Sequence, residues 1–209
     1  MKNFIRLFGI TLMVIIGIAF SACDHGGTNE TSGTSSASSV SLIGTWYSYG
    51  NVYKYTFSSS AYEQYYNGNP YRKGNYTTTK DSMTMTVTHI GNYLSSSYTW
   101  LSPSTWYSKD QFVSAYINYY REQYRASIQS TYDTYVKNYG VATANQAFQN
   151  AYGTTNIDAI VEEQYGSTLT QLENSINTSA NNSLYNSSTV AFAFSGATLM
   201  LGGVSLTKD

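Results

Sequence analysis

Acid–base chemistry would need paired carboxylates, and the clearest cluster of them is Asp158, Glu162 and Glu163. Two carboxyl groups on either side of a glycosidic bond could cleave it. However, neighbouring helical residues point about 100° apart, and Asp158 with Glu162 has the i,i+4 spacing of an ordinary solvated helix face. The many serines lack a GxSxG elbow, and Gly202-Gly203 sits between strand residues rather than in a phosphate loop. We therefore expect a protein that is not an enzyme.

Metal binding has few candidates, because the chain contains two histidines and one cysteine. Neither His25 nor His89 has a second His, a Cys or a carboxylate pair at ligand spacing. His89 continues the strand alternation of Met83 and Val87, so we interpret it as a rim or hydrogen-bonded interior residue. Cys23 has no partner for a disulfide. We expect no metal and no cofactor.

The prominent side chain is tyrosine, which occurs 22 times against eight Phe and three Trp. Tyrosine offers a large contact area with a hydrogen-bonding tip, as at recognition surfaces, but its bulk also suits it to plain packing in strands. In residues 44–57, GTWYSYGNVYKYTF, Gly50-Asn51 predicts a hairpin turn. Alternation along the first strand then turns Tyr47 and Tyr49 outward, as a candidate interaction surface for a protein or glycan partner.

The N-terminus is typical of an export signal. Lys2 and Arg6 precede an apolar run at residues 8–20, which is shorter than the about 20 residues of a membrane-spanning helix. The tetrapeptide FSAC, which ends at Cys23, resembles the lipobox of bacterial lipoproteins. That resemblance implies a signal peptide at residues 1–22 and acylation of Cys23, which would anchor the chain to a lipid bilayer.

Residues 23–40 predict a flexible tether after the anchor, because Gly, Ser and Thr dominate there. Removing residues 1–22 takes away two of eleven basic residues and no acidic ones, which leaves nine basic and twelve acidic groups and a net charge of −3. This charge excludes a nucleic-acid partner. We expect a lipid-anchored protein of the bacterial cell envelope. Asp24 would retain it in the inner membrane of enteric bacteria, but that rule is not general, so the outer membrane is preferred.

Residues 41–209 predict one domain that is mainly β with a helical insertion. Six strand-like runs separated by turn signals fill residues 42–101. Apolar residues then recur at three- and four-residue spacing, which predicts helices over about residues 109–177, a polar loop to residue 188 and a final hairpin over residues 189–206. Six strands and two can close an eight-stranded up-and-down antiparallel barrel, with the helices between strands six and seven.

Two residues predict where those helices begin or end. Gly140 follows a run of apolar positions and is a natural C-terminal stop. Asn156 precedes Ile157 and is a plausible N-cap. The insertion is therefore predicted to contain one long amphipathic helix or two shorter ones before Gly140, followed by further helices over residues 144–152 and 157–176.

The tripeptide GTW, which ends at Trp46, resembles the GxW signature of lipocalins and the wider calycin group. Residues 76–85 resemble the hairpins of bacterial lipocalin-like lipoproteins, and the matching segments cover residues 42–101 and 189–208. The resemblance implies a barrel with Trp46 packed across one end and the other end open to a small apolar or amphipathic ligand. In the family a late Arg commonly covers this Trp, and Lys208 is the candidate for that place here.

Inward positions of matched parity form the candidate ligand-binding wall: Trp46, Tyr53, Tyr55, Phe57, Met83, Met85, Tyr98, Trp100, Phe192 and Phe194. A barrel filled by these side chains, with no cavity, is an equally open alternative. The preferred function is non-catalytic binding of a small apolar or amphipathic ligand. The alternatives are a surface interaction protein, as an adhesin or inhibitor, and a structural envelope lipoprotein.

Overall fold

The computed structural model describes residues 41–91, 93, 98, 100–101 and 106–209. The predicted signal peptide, the acylated Cys23 and the tether lie outside the described residues. The described chain forms nine strands and three helices in this order: β1 (Gly44–Ser48), β2 (Tyr53–Phe57), β3 (Ala61–Tyr66), β4 (Asn69–Thr78), β5 (Ser82–Gly91), β6 (Trp106–Ser108), α1 (Lys109–Tyr139), α2 (Val141–Tyr152), α3 (Ile157–Ser183), β7 (Ser187–Ser195), β8 (Thr198–Leu201) and β9 (Val204–Lys208).

The strands close into an eight-stave antiparallel barrel, in which a stave is one strand position in the wall. Consecutive strands pair from β1 to β5 and from β7 to β9, and the β1–β9 and β5–β7 pairings complete the circle. Among the described strands, closure gives each one a partner on both sides except β6, which pairs with β5 alone. The predicted fold class, mainly β with a helical insertion between strands six and seven, is confirmed.

The sixth stave is interrupted by the helical insertion. Since β4 occupies one edge of β5 along most of its length, β6 and β7 must share the other edge. On this edge Ser108 pairs with His89, and the Val87 N–H donates to the Asn186 carbonyl at 3.1 Å. The chain therefore leaves the wall after Ser108 and returns to the same stave near Asn186.

The last predicted strand also divides. Gly202 and Gly203, both with positive φ, form a turn between β8 and β9, and positive φ favours glycine because it has no Cβ. The described part of residues 42–101 contains five strands, β1 to β5, rather than the predicted six. The sixth stave is shared by β6 and β7, and β8 and β9 form the seventh and eighth. The six-plus-two division of strands was therefore wrong in detail although the eight-stave barrel was right.

The helices begin and end largely where the sequence predicts. Gly140 ends α1 with its N–H bonded to the Val136 carbonyl, and the Asn156 side chain accepts from the Ala159 N–H at 3.1 Å as the N-cap of α3. However, α3 continues to Ser183, so the predicted polar loop from residue 177 is wrong. An apolar stripe explains the extension: Ile176, Ala180 and Leu184 follow one another at four-residue spacing and are buried in one cluster.

Three clusters of buried side chains hold the fold together. The first fills the barrel, around Trp46 and Leu199. The second joins Val87 and Ile90 of β5 to Phe112 of α1 and the stripe of α3, and we call it the base cluster. The third lies farther along the helices, around Phe148. At about 1.5 Å per residue, α1 is about 46 Å long. The helices therefore pack on the barrel at their base and extend well beyond it.

Candidate functional site

The two ends of the barrel differ. One end, which we call the terminal end, carries the start of β1 and the end of β9, because Trp46 pairs with Lys208. The other end, the helix end, carries the C-terminal end of β5, which is followed by β6 and the helices. Antiparallel neighbours alternate in direction, so the chain enters the barrel at one end and the insertion leaves it near the other.

Trp46 seals the terminal end. The residue is 0% exposed, and its indole Nε1 donates to the Leu42 carbonyl at 2.7 Å. Lys208 Nζ lies 5.4 Å from the centre of the indole ring and donates to the Ser41 carbonyl at 2.9 Å. The predicted cover of Trp46 by Lys208 is confirmed. Gly44 leaves room for this lysine, because a Cβ there would lie 2.6 Å from Lys208 Cε.

Aromatic and aliphatic side chains fill the barrel interior. Of the predicted wall, five residues are buried together: Trp46, Tyr55, Phe57, Met83 and Met85. Tyr53 and Phe192 are partly buried against them, and Phe194 contacts Trp46 with its ring centre 5.9 Å away but is 37% exposed. Two shallow depressions of the described surface lie on the helices, around Tyr135 and Ser130.

Tyr98 and Trp100 do not belong to the barrel interior, contrary to the sequence-based prediction. Both rings pack on Phe112 of α1, at 5.3 and 6.4 Å between ring centres, within the base cluster. The prediction failed because these residues follow Gly91, where β5 ends. Once the chain has left the sheet, strand alternation no longer predicts which way a side chain points.

The base cluster covers one side of the helix end. Val87 pairs with Gly74, which pairs with the buried Tyr62, so Val87 shares the inward face of the wall. Together with Ile90 it packs against Phe112 and the neighbouring helical residues. The helices thus close the barrel beside β5.

Tyrosine rings line the other side of the helix end. The ring of Tyr66 lies 5.0 Å from Tyr53 and 4.2 Å from Tyr93, and Tyr71 lies 5.4 Å from Tyr93. All four residues are half-buried. We call this group the tyrosine rim; it combines apolar ring faces with hydroxyl groups at the mouth of the barrel. Of these four tyrosines the sequence analysis named only Tyr53, and it named that residue as part of the barrel interior.

Arg72 lies directly inside the tyrosine rim. Tyr71 is an extra residue in β4, because Gln64 pairs with Arg72 whereas Tyr65 already pairs with Pro70. This bulge places the Arg72 guanidinium over the Tyr71 ring, 4.9 Å from its centre. No pattern in the sequence pointed to Arg72, because a bulge is set by pairing with a neighbouring strand.

Burial keeps the interior tyrosines protonated. It raises the pKa of Tyr62 to about 12, against an opposing effect of the Arg72 charge. Burial also raises the pKa of Tyr55, with smaller contributions from Tyr53 and Tyr71. The Tyr55 hydroxyl accepts a hydrogen bond from Gln64 Nε2 at 2.7 Å. These hydroxyls therefore remain neutral hydrogen-bonding groups across the physiological range.

A second aromatic surface lies on the outside of the barrel. Lys54 Nζ lies 4.3 Å from the Tyr65 ring, Lys73 Nζ lies 5.0 Å from the Trp106 ring, and the two rings are 5.8 Å apart. Tyr47 extends this outer band, because it is the β1 neighbour of Lys54 and is half-buried.

Tyr49, the other predicted interaction residue, is fully exposed. It lies in a short 3₁₀ turn, Tyr49–Asn51, where Gly50 and Asn51 have positive φ. The predicted turn at Gly50-Asn51 is confirmed, and Tyr49 is 100% exposed beside the end of β1. The helices thus leave the Tyr49 ring uncovered.

His89 faces the outside of the barrel rather than its interior. Thr88 is an extra residue of β5, since Lys73 pairs with His89 whereas Gly74 pairs with Val87. This bulge reverses the alternation, so the interpretation of His89 as an interior residue was wrong. Burial and the neighbouring Lys73 charge both lower the pKa of His89.

Two acidic residues of α3, Asp158 and Glu162, form ion pairs with arginines of α1. Arg125 Nε donates to Asp158 at 2.8 Å, and Arg121 lies 3.5 Å from Glu162. These exposed pairs join α1 to α3. Within the described residues, no group of three or more His, Cys, Asp and Glu side chains could hold a metal ion.

None of the three described helices is both long and apolar enough to span a membrane.

No protein-family model, curated protein or solved structure matches this chain. The closed eight-stave antiparallel barrel is compatible with a lipocalin-like fold.

Proposed function

We propose that this chain is a lipid-anchored, exported, non-catalytic protein that binds a small apolar or amphipathic ligand at the helix end of its barrel. One observation carries the proposal: the terminal end is sealed by Trp46 and Lys208, whereas the opposite end presents half-buried tyrosine rings. Rings with hydroxyl tips suit a ligand that is partly apolar and partly polar.

The position of the two barrel ends fits a protein anchored through its N-terminal segment. The described chain begins at Ser41 beside Lys208, so a tether from an acylated Cys23 would reach the sealed terminal end. The tyrosine rim and the helices would then face away from the bilayer. The location that we propose is the bacterial cell envelope, with the outer membrane preferred over the inner.

The ligand is proposed to contact the mouth rather than the centre of the barrel. Phe57, Met83 and Leu199 are at most 2% exposed and belong to one contacting cluster. A ligand in the centre would have to displace these side chains and lose their packing. The rings of the tyrosine rim are already partly accessible, so binding there requires only local adjustment.

Anchoring is tested by following the chain in cells after Cys23→Ser. We expect the unchanged chain to incorporate labelled fatty acid and to sediment with membranes, and Cys23→Ser to lose the label. A chain that carries no label when Cys23 is present would contradict the anchor.

Ligand binding is tested with an environment-sensitive apolar fluorophore and the mature chain (residues 23–209) carrying Cys23→Ser, which keeps it unacylated. We expect saturable binding that Tyr66→Ala weakens at least about tenfold, or about 1.4 kcal/mol. Tyr139→Ala, at the exposed end of α1, is the matched control and should leave affinity unchanged. Equal loss in both variants, or no saturable binding, would refute binding at the rim.

A surface interaction protein is the second candidate function. It is favoured by the outer band of Lys54, Tyr65, Lys73 and Trp106 and by the full exposure of Tyr49. Exposed aromatic rings beside lysines suit a protein or acidic glycan partner. Binding of the Cys23→Ser chain to a glycan panel that is lost on Tyr49→Ser and Trp106→Ser would support this function. If neither test detects a ligand, the structural envelope lipoprotein remains.

A further inference from the structure

Arg72 points into the barrel at the helix end. On β4 it pairs with Gln64 of β3 and with Ile90 of β5, which are 8% and 1% exposed. Directly paired residues of antiparallel strands project from the same face of the sheet. The guanidinium therefore lies among inward side chains, and its charge acts on the hydroxyls of Tyr55 and Tyr62.

This cation has no carboxylate partner among the residues described. The three ion pairs of the described chain all lie on α1 and α3. Two acidic residues are equally near in sequence. Glu63 accepts from the Tyr65 hydroxyl at 2.8 Å, in the outer band, and Asp81 lies in the turn between β4 and β5, at the opposite end of β4 from Arg72. The face of the Tyr71 ring is the contact that Arg72 makes, and a cation–π contact is worth only about 0.5–2 kcal/mol.

The groups around Arg72 are suited to a negative charge. The hydroxyls of Tyr55 and Tyr62 stay protonated and can donate hydrogen bonds, and the Gln64 amide carries two donors. A half-buried cation surrounded by neutral donors creates a positive potential that solvent and the Tyr71 ring face offset only in part. An anionic ligand would offset it.

We propose that Arg72 and the donors around it bind the oxyanion headgroup, a carboxylate or a phosphate, of an amphipathic ligand whose apolar part contacts the tyrosine rim. This inference rests on the proposed function and assigns the charge of its ligand. The planar guanidinium offers paired N–H donors that match both headgroups, and charge-assisted hydrogen bonds of this kind are about twice as strong as neutral ones. Tyr66 and Tyr93, at 4.2 Å, would provide the apolar contact.

The test uses three probes of equal chain length, decanoate, decyl phosphate and decanol, below their aggregation concentrations. Each is titrated calorimetrically into the mature Cys23→Ser chain. We expect decanoate or decyl phosphate to bind at least about tenfold more tightly than decanol. The tighter of the two anions identifies the headgroup. This comparison uses the unchanged site and does not depend on any variant folding correctly.

Variants then assign the charge to Arg72. Arg72→Gln should reduce anion affinity at least about tenfold and abolish the preference over decanol, and Arg72→Lys should retain part of that preference. Arg121→Gln, on the exposed face of α1, is the matched control and should bind like the unchanged chain. Near-ultraviolet circular dichroism verifies that each variant keeps its aromatic packing.

Two outcomes would overturn the inference in different ways. If decanol binds as tightly as the anions, or Arg72→Gln binds them unchanged, the oxyanion site is wrong although an amphipathic ligand at the rim still stands. If none of the three probes binds the unchanged chain, both the oxyanion site and the proposed ligand class fail.

Discussion

Raising the pH above 10 should destabilise the barrel through Tyr62. This residue is 2% exposed, and burial raises the pKa of its hydroxyl to about 12, from about 10 for an ordinary tyrosine. Between these values the unfolded chain loses the proton whereas the folded chain keeps it, so unfolding becomes more favourable. Below pH 10 both states are protonated and the contribution is fully present. At about 1.4 kcal/mol per pH unit, the loss is about 1.4 kcal/mol at pH 11 and approaches about 2.7 kcal/mol above pH 12.

The assay compares the unchanged chain with Tyr62→Phe, which keeps the buried ring and removes the ionisable hydroxyl. Urea unfolding followed by circular dichroism at about pH 9 and about pH 11 gives the free energy of unfolding of each protein. Other titrating groups contribute to both proteins and cancel in the difference. We expect Tyr62→Phe to lose about 1.4 kcal/mol less than the unchanged chain.

Tyr49→Phe is the matched control, since the same chemical change is made at a ring that is 100% exposed. It should lose stability in parallel with the unchanged chain. The reasoning would be refuted if Tyr62→Phe also ran parallel to the unchanged chain between about pH 9 and about pH 11.

Three further predictions concern the barrel. Leu199→Ala should lower the free energy of unfolding by about 2–5 kcal/mol, because Leu199 is 0% exposed in the barrel cluster. Met200 is 36% exposed on the other face, so Met200→Ala should lower it by less than about 1 kcal/mol. Equal losses would contradict the assigned faces. Replacing the helices by a short Gly-Ser linker from Ser108 to Asn186 should leave a barrel that folds cooperatively, because both residues are bonded to β5. Loss of the β-sheet signal in circular dichroism would show that the barrel requires the helices. Lys208→Met should lower the free energy of unfolding by about 0.5–1.5 kcal/mol, because it removes the hydrogen bond to Ser41 and the contact with the Trp46 indole. An unchanged urea midpoint would show that Lys208 does not stabilise the fold.

Local features were predictable because each depends on a few neighbouring residues. Gly50-Asn51 adopts positive φ in a turn, Gly140 ends α1, and Asn156 caps α3, all as the sequence predicts. The position of the helices also followed from the change in hydrophobic period. The count of eight staves was right because two errors cancelled: residues 42–101, as far as they are described, contain five strands rather than six, and the segment after the helices contains three rather than two. The place of Lys208 over Trp46 was inferred from a family resemblance and agrees with the structure.

Whether a side chain points into or out of the barrel was predictable only where its strand has no bulge. Met83 and Met85 lie in the interior as alternation requires, but the bulge at Thr88 turns His89 outward. The bulge at Tyr71 likewise determines where the following Arg72 lies relative to the mouth. A bulge depends on how two strands pair, so it has no signature within either strand alone.

The sequence by itself determined the local elements of this protein: its turns, helix caps, apolar alternation and the candidate export signal. Only the tertiary structure decided that one stave is divided by the helices, that Tyr98 and Trp100 pack against α1, and that Arg72 enters a ring of tyrosines. The physical reason is that turns and caps are made by hydrogen bonds and sterics between near neighbours. Closure of the barrel, bulges and the tyrosine rim instead depend on pairing between segments that are distant in the chain, which local patterns do not encode.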